Sequence, residues 1–431
     1  MVLHPYEREP RVNLDWGRLK AVVLESDDWG LCAWVPDDQA HRALVDAPAW
    51  RGPAGRIYGR STLETASDVE RLCAVLDEFR GGDGLAPLWQ ANTILAAPDF
   101  ARLVPPLFEI GDLPLLCWPD APPRWRRPGL WERVERGRAA GLWWPELHGL
   151  HHVPAAAWLN ALRRGAADAR RAHQHESIVC QVSLDSSEYD AGEPVAQRAR
   201  NLDLALERFR ALFGVAPASL CPPNYRWDDW LETRAEEVGL ILQGKSEQAG
   251  RRWPRLGRLL DRYRWPDARG GLFAMPPRIA FEPRGTAGGL LGAEAVHREV
   301  WAAWRRGQPA VVSTHRVNYA HLDPPWSESG RAALRDLLSR LAADGARFMI
   351  DAEVGSLVQH GWSLRPVGER GAVLRFYGVP GAPLQLAAPA GVSGLTLRQA
   401  SSGEEARATL EGSELRVNVN PGEYRIEWVR A

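Results

Sequence analysis

Long apolar runs are missing from this 431-residue chain. No stretch approaches the roughly 18 to 20 consecutive apolar residues of a membrane-spanning helix, so no span is expected. The N-terminal MVLHPYEREPRVNLDW lacks the apolar core of a secretory signal, which makes the cytoplasm the expected location. Cysteine is scarce. Cys32, Cys73, Cys117, Cys180 and Cys221 are an odd, dispersed set without a CxxC pair, which argues against a disulfide framework and against a thiolate zinc site. A strong charge of either sign is absent too: 53 Lys plus Arg against 54 Asp plus Glu leave a net −1. Nothing in that balance draws nucleic acid or an anionic membrane, and a neutral or locally bound substrate fits better.

What remains, 45% apolar and 25% charged residues, suits one large globular domain plus a smaller one. Twenty tryptophans are the compositional oddity. Indoles pack well in cores and also make flat platforms for the apolar faces of sugar rings.

From about residue 20 to 355, short apolar runs alternate with longer amphipathic ones, the pattern of an α/β domain. Strands are predicted at 21–26, 178–184, 219–221, 240–242, 310–314 and 347–350. Helices are predicted at 67–79, 154–164, 194–213, 293–305 and 330–343. In the third of these, Leu202, Leu206, Phe209 and Phe213 form one stripe and Gly214 supplies the stop. A further helix at 352–360 precedes Gly361, beyond which alternating runs (Leu415, Val417, Val419; Tyr424, Ile426, Trp428) read as a small antiparallel β domain, 361–431. The Arg- and Gly-rich stretch 250–271 reads as a long excursion.

Four features carry chemistry. AVVLESDDWG is an apolar strand ending in adjacent carboxylates, Asp27 and Asp28, where α/β folds place ligands. Capping a turn is the plainer role for either of them. ELHGLHH spaces His148 and His152 four apart, so that a helix would present both imidazoles to one divalent ion. His151 is an alternative partner. AVVSTHRVNY delivers His315 at a strand end, and SLCPPNYRWDD sets Asn224 and Tyr225 behind two prolines that stiffen the backbone.

In their order these elements resemble the polysaccharide deacetylases of carbohydrate esterase family four: SDDWG for the first motif, His148 to His152 for the second, CPPNY for the third and STH for the last. PELHGLHH, PPRIAFEP and THRVNY are similar to the deacetylase-like proteins associated with bacterial surface glycans. The resemblance covers roughly residues 20 to 355. It implies an α/β fold, a distorted (β/α) barrel within 1–360, with a cap inserted within 31–145 and the β domain following.

It also implies a divalent ion, zinc first, on Asp28, His148 and His152. Asp27 becomes the base for water, protonated His315 the acid for the leaving amine, and the Tyr225 backbone N–H an oxyanion donor. The implied reaction is hydrolytic removal of acetyl from an N-acetylated sugar or surface-glycan precursor. Trp50, Trp89, Trp118, Trp143 and Trp144 are candidates to line the substrate path. One departure stands out: Cys221 occupies the place of the arginine that orients the catalytic aspartate, leaving Arg226 or Arg278 to substitute. Two other functions compete, a non-catalytic carbohydrate-binding protein on the same scaffold and a glycosidase pairing Asp27 with Glu146 or Glu282.

Overall fold

The structure, a computed structural model, describes residues 14–104, 113–244, 265, 274–286, 289–368, 370–378 and 384–430. The predicted excursion 250–271 lies outside the described residues apart from Trp265.

The frame is a curled sheet of eight parallel strands, a distorted (β/α) barrel. The strands are β1 (Ala21–Trp29), β2 (Trp89–Ile94), β3 (Trp143–Gly149), β4 (Ser219–Leu220), β5 (Ile241–Leu242), β6 (Ile279–Ala280), β7 (Ala310–His315) and β8 (Arg347–Met349). They run in the order β5-β4-β3-β2-β1-β7-β6, and β8 also pairs with β1. One edge of β1 carries β7 from Val22 to Asp27. The other is shared, with β8 along Ala21 to Val23 and β2 from Leu24 onward. Val22, Val23 and Leu24 are buried, as the continuous apolar run of a parallel strand covered on both faces requires.

Strands β2 and β3 were not predicted. Their polar residues are buried and are satisfied by groups on neighbouring elements. The Gln90 Nε2 donates to Asp351 Oδ2 at 2.7 Å. Asn92 and Gln243 exchange amide hydrogen bonds of 2.7 and 2.9 Å. Glu146 Oε2 accepts from the Ala218 and Ser219 N–H groups at 2.9 and 2.8 Å. A polar barrel interior erases the apolar signature on which strand prediction depends.

The predicted strand at 178–184 is instead a run of turns. Ser183 Oγ accepts from the Cys180 N–H at 2.9 Å and donates to the Ile178 carbonyl at 2.7 Å, replacing ladder bonds with local side-chain ones. The helices largely follow their predictions. Val195–Phe213 buries the expected stripe and ends at Gly214 with φ +68°. Pro324–Ala343 starts six residues earlier than predicted, with proline at its first turn, where a missing N–H costs nothing. Among the described residues no helix is long and apolar enough to cross a membrane, and the five cysteines are free.

A second apolar cluster sits apart from the barrel core. It joins Leu31, Ala33, Val35 and Trp50 to Ile94, Phe100 and Leu103, and also to Val153, Trp158, Ile178 and Val179. Chain beyond residue 145 thus packs with the segment predicted as a cap. After Gly361 come two antiparallel sheets, one led by the strand Trp362–Val367 and the other by Leu384–Ala387, around Leu374, Leu397, Leu415, Ile426 and Trp428.

Candidate metal centre and proton-transfer groups

The carboxyl end of β1 bends where its pairing with β2 is broken by a bulge between Ser26 and Trp29. Asp28 takes a left-handed conformation there, φ +73°. In a regular strand Asp27 and Asp28 would face opposite sides; this turn lets both line one cavity. Gly30, at φ +77°, completes the bend, and a side chain at this position would meet the Ile94 carbonyl at 2.5 Å. Its N–H donates to buried Glu64 at 3.0 Å, which pairs with buried Arg316 at 2.9 Å. The ends of β1 and β7 are tied together by this pair.

His148 and His152 do not share a helix face. His148 is near the end of β3 and His152 follows a tight turn, with Gly149 at φ +120° and His152 at φ +62°. Buried Glu188 organises the turn: its Oε1 accepts from the N–H groups of Leu150, His151 and His152 at 2.8, 3.1 and 3.1 Å. His151 points elsewhere, accepting the Val153 N–H on Nδ1 at 3.1 Å with Asn201 at its Nε2. His151 is thus excluded as the partner.

The His148 Nδ1 lies 2.8 Å from the Cys221 carbonyl and donates to it. Its Nε2 is 3.3 Å from Asp28 Oδ1, and the His152 Nε2 is 3.9 Å from the same oxygen. Metal–ligand bonds of about 2.0–2.2 Å in a tetrahedral set put neighbouring ligand atoms about 3.4 Å apart. The spacing here fits that with small adjustment. Burial lowers His152 to about 4, with His148 adding to the effect, so this imidazole is neutral and ligand-ready at pH 7. Burial works against an ionised Asp28, but its hydrogen bond to His148 and the nearby imidazoles outweigh that and hold it below the usual carboxylate range.

Asp27, His148 and Cys221 form a second cluster of close ligand atoms. It is the poorer site. Burial pushes the Cys221 thiol well up, away from the thiolate that binds metal, and Asp27 is already engaged. Arg278 grips Asp27 with two parallel bonds, Nη2 to Oδ1 at 3.0 Å and Nη1 to Oδ2 at 3.1 Å. Asn92 Nδ2 donates to Oδ1 at 2.6 Å and the Tyr225 hydroxyl to Oδ2. Burial opposes ionisation of Asp27, but Arg278, His148 and His315 overcome it and keep the carboxylate charged.

Arg278 therefore stands where the motif lacks its arginine, with Nη1 3.4 Å from Cys221 Sγ. Its Nε also pairs with buried Glu25, and its guanidinium lies 4.8 Å from the Tyr225 ring. Arg226 goes instead to the Asp185 carbonyl. The predicted oxyanion role of Tyr225 is not supported by the geometry, because its N–H donates to Pro222 O at 3.0 Å within the turn. It is the side chain that serves the site.

His315, at the end of β7, donates from Nδ1 to Glu282 Oε1 at 2.6 Å and holds Nε2 3.8 Å from Asp27 Oδ2. Asn318 Nδ2 secures the other Glu282 oxygen at 2.7 Å. Burial acts to strip the proton from His315, but Glu282, then Asp27 and Asp28, reverse it and raise the pKa to about 10. The PPRIAFEP segment thus supplies two site residues, Arg278 before β6 and Glu282 after it. The second was predicted only as a glycosidase acid.

The cavity over this site measures about 190 Å³. Among the described residues, none of Trp50, Trp89, Trp118, Trp143 and Trp144 lines it; the first four are core residues, and Trp144 donates to Glu146 at 3.0 Å. Trp34 and Tyr58 line it instead.

No protein-family model matches the chain, and no curated protein does. Among solved structures, a Mycobacterium smegmatis protein designated a candidate polysaccharide deacetylase is similar over 82% of this chain and 94% of its own, at 15% identity and a TM-score of 0.42. A Thermotoga maritima α-fucosidase is similar over 96% of both chains at 12% and 0.35. A 4-α-glucanotransferase from Thermococcus litoralis is similar over 77% of this chain and 39% of its own, at 9% and 0.38. At such scores the site is read from its own geometry.

Proposed function

We propose that the protein is a metal-dependent deacylase that hydrolyses the acetamide of an N-acetylated sugar. One observation carries this reading: a two-histidine, one-carboxylate ligand set shares a cavity with Asp27 and His315, whose Oδ2 and Nε2 lie 3.8 Å apart. Asp28, His148 and His152 would hold the ion, for which zinc suits the nitrogen-rich donor set. An ion held there would polarise the acyl carbonyl and lower the pKa of an adjacent water to about 7.

The chain's own residues supply the proton transfers. Asp27 accepts the proton of the attacking water. Four donors on its two oxygens make it a weak base, which suffices only for a water already made acidic. Arg278, Asn92 and the Tyr225 hydroxyl hold the carboxylate in place. His315, protonated at neutral pH by its pairing with Glu282, gives its Nε2 proton to the departing nitrogen as the C–N bond breaks. Acetate and a free amine leave. A protonated acid suits an amide, whose nitrogen must be protonated before it can depart.

The site's geometry favours this reading over the glycosidase and binding-only alternatives. Glu146 and Glu282 are held by backbone amides and by His315 with Asn318, and neither lines the cavity. A binding-only protein rested on the missing arginine, and Arg278 fills that role. The test is release of acetate and amine from a panel of N-acetylated sugars by zinc-loaded protein, chelated protein and Asp27→Asn. Activity is expected in the first alone; silence of the zinc-loaded protein across the panel overturns the reading.

A further inference from the structure

Parts of the chain that neither ligate nor transfer protons wall the site on several sides. Trp34 and Tyr58 line the cavity with rings nearly parallel, 5.9 Å apart at 15°, and Trp50 buttresses Trp34 edge-on at 5.2 Å. Tyr58 also meets the His315 ring edge-on at 6.1 Å, so the aromatic wall runs directly to the proton donor. Ile178, Val179 and Leu184 add an aliphatic wall from the turns that replace the predicted strand.

These walls are fastened to each other. The Ile178 N–H and the Ser177 hydroxyl both donate to the Ala33 carbonyl, at 3.1 and 3.0 Å, and Ala33, Trp50, Ile178 and Val179 share one apolar cluster. A polymer passes through a site only along a groove open at both ends, and this stitch ties the two segments together beside the cavity. A volume of about 190 Å³ also falls below the roughly 300–1,000 Å³ typical of clefts that enclose larger ligands.

One polar group awaits a partner. Asn224 lines the cavity with backbone φ +56°, and its Nδ2 is buried without a hydrogen-bond partner among the described residues. Buried donors are nearly always satisfied, so this one points to an acceptor on a bound molecule.

We propose that the cavity takes a single N-acylated sugar residue, free or at a chain end, and excludes the interior residues of a polymer. Its ring lies on the Trp34–Tyr58 wall and one of its oxygens accepts from Asn224 Nδ2. The inference rests on the deacylase reading for its chemistry, but binding tests it separately. The probes are the methyl glycosides of N-acetylglucosamine, N-acetylgalactosamine and N-acetylmannosamine, with the N-acetylglucosamine trimer and pentamer, followed by tryptophan fluorescence and by acetate release from the zinc-loaded protein.

At least one monosaccharide should bind, and trimer and pentamer should match their monomer within about threefold. Trp34→Ala, Tyr58→Ala and Asn224→Ala should each weaken binding about tenfold or more with the fold intact by circular dichroism. Oligomers should lose at most one acetyl per chain. Affinity rising tenfold or more with length, several acetyls removed per pentamer, or no binding of any probe overturns the proposal. Length-independent binding without acetate release supports it and refutes the deacylase reading alone.

Discussion

Replacing Glu282 by glutamine keeps the shape of the His315 partner and removes its charge. With Nδ1 and Oε1 2.6 Å apart, the charge centres lie about 4 Å apart, an interaction of about 4 kcal/mol at an effective dielectric of about 20. At 1.36 kcal/mol per unit this is about three pKa units. Burial, which favours the neutral ring, is unchanged by the substitution. The His315 pKa should therefore fall from about 10 to about 7. Two assays read this. The ¹⁵N shifts of the His315 ring should titrate about three units lower in Glu282→Gln than in wild type. The alkaline limb of kcat/KM should move the same way, costing about 100-fold at pH 9. Stability should follow in sign: a histidine with a raised folded pKa stabilises fully below its unfolded value near 6.5 and loses that contribution as pH climbs through about 10. The wild-type advantage in urea should shrink across that window. A ring titration that moves by less than half a unit refutes the assignment of Glu282 as the group that keeps His315 charged.

Substitutions at three other positions probe the residues that support the site. Arg278→Met leaves Glu25 and Asp27 buried without their cation, so melting should show a loss of about 3–5 kcal/mol and kcat/KM should drop about 100-fold or more. Zinc stoichiometry should stay at one, and Arg278→Lys should rescue poorly, because an ammonium cannot reproduce the fork. Glu188→Ala frees the three N–H groups that shape the His152 turn, and calorimetry should show zinc binding about 10- to 100-fold weaker. Gly330→Ala places a methyl 1.8 Å from the Asn318 carbonyl; it should lower both the melting temperature and kcat by shifting the Asn318–Glu282–His315 chain.

The residues that sit at the ends of apolar strands were legible. Asp27, Asp28 and His315 follow runs such as AVVLES and AVVST, where burial on both faces forces a continuous apolar signal that also marks the site's edge. His148 and His152 were found for a reason the structure replaces: their spacing suggested one helix face, whereas a strand end, a glycine at φ +120° and Glu188 bring them together. Arg278 was one of two arginines left to hold Asp27, and at 251 residues from it in sequence no local pattern chooses between them. The β2 and β3 strands were hidden because their inward residues are polar, and the 178–184 wall was mistaken for a strand because apolar residues facing a cavity resemble those facing a core.

Anomalous diffraction from zinc-soaked crystals tests the central assignment most directly. One peak is predicted, about 2.0–2.2 Å from Asp28 Oδ1, His148 Nε2 and His152 Nε2, with Asp27 still in the grip of Arg278. A peak coordinated by Cys221 and Asp27, or no peak in this cavity, would contradict the account.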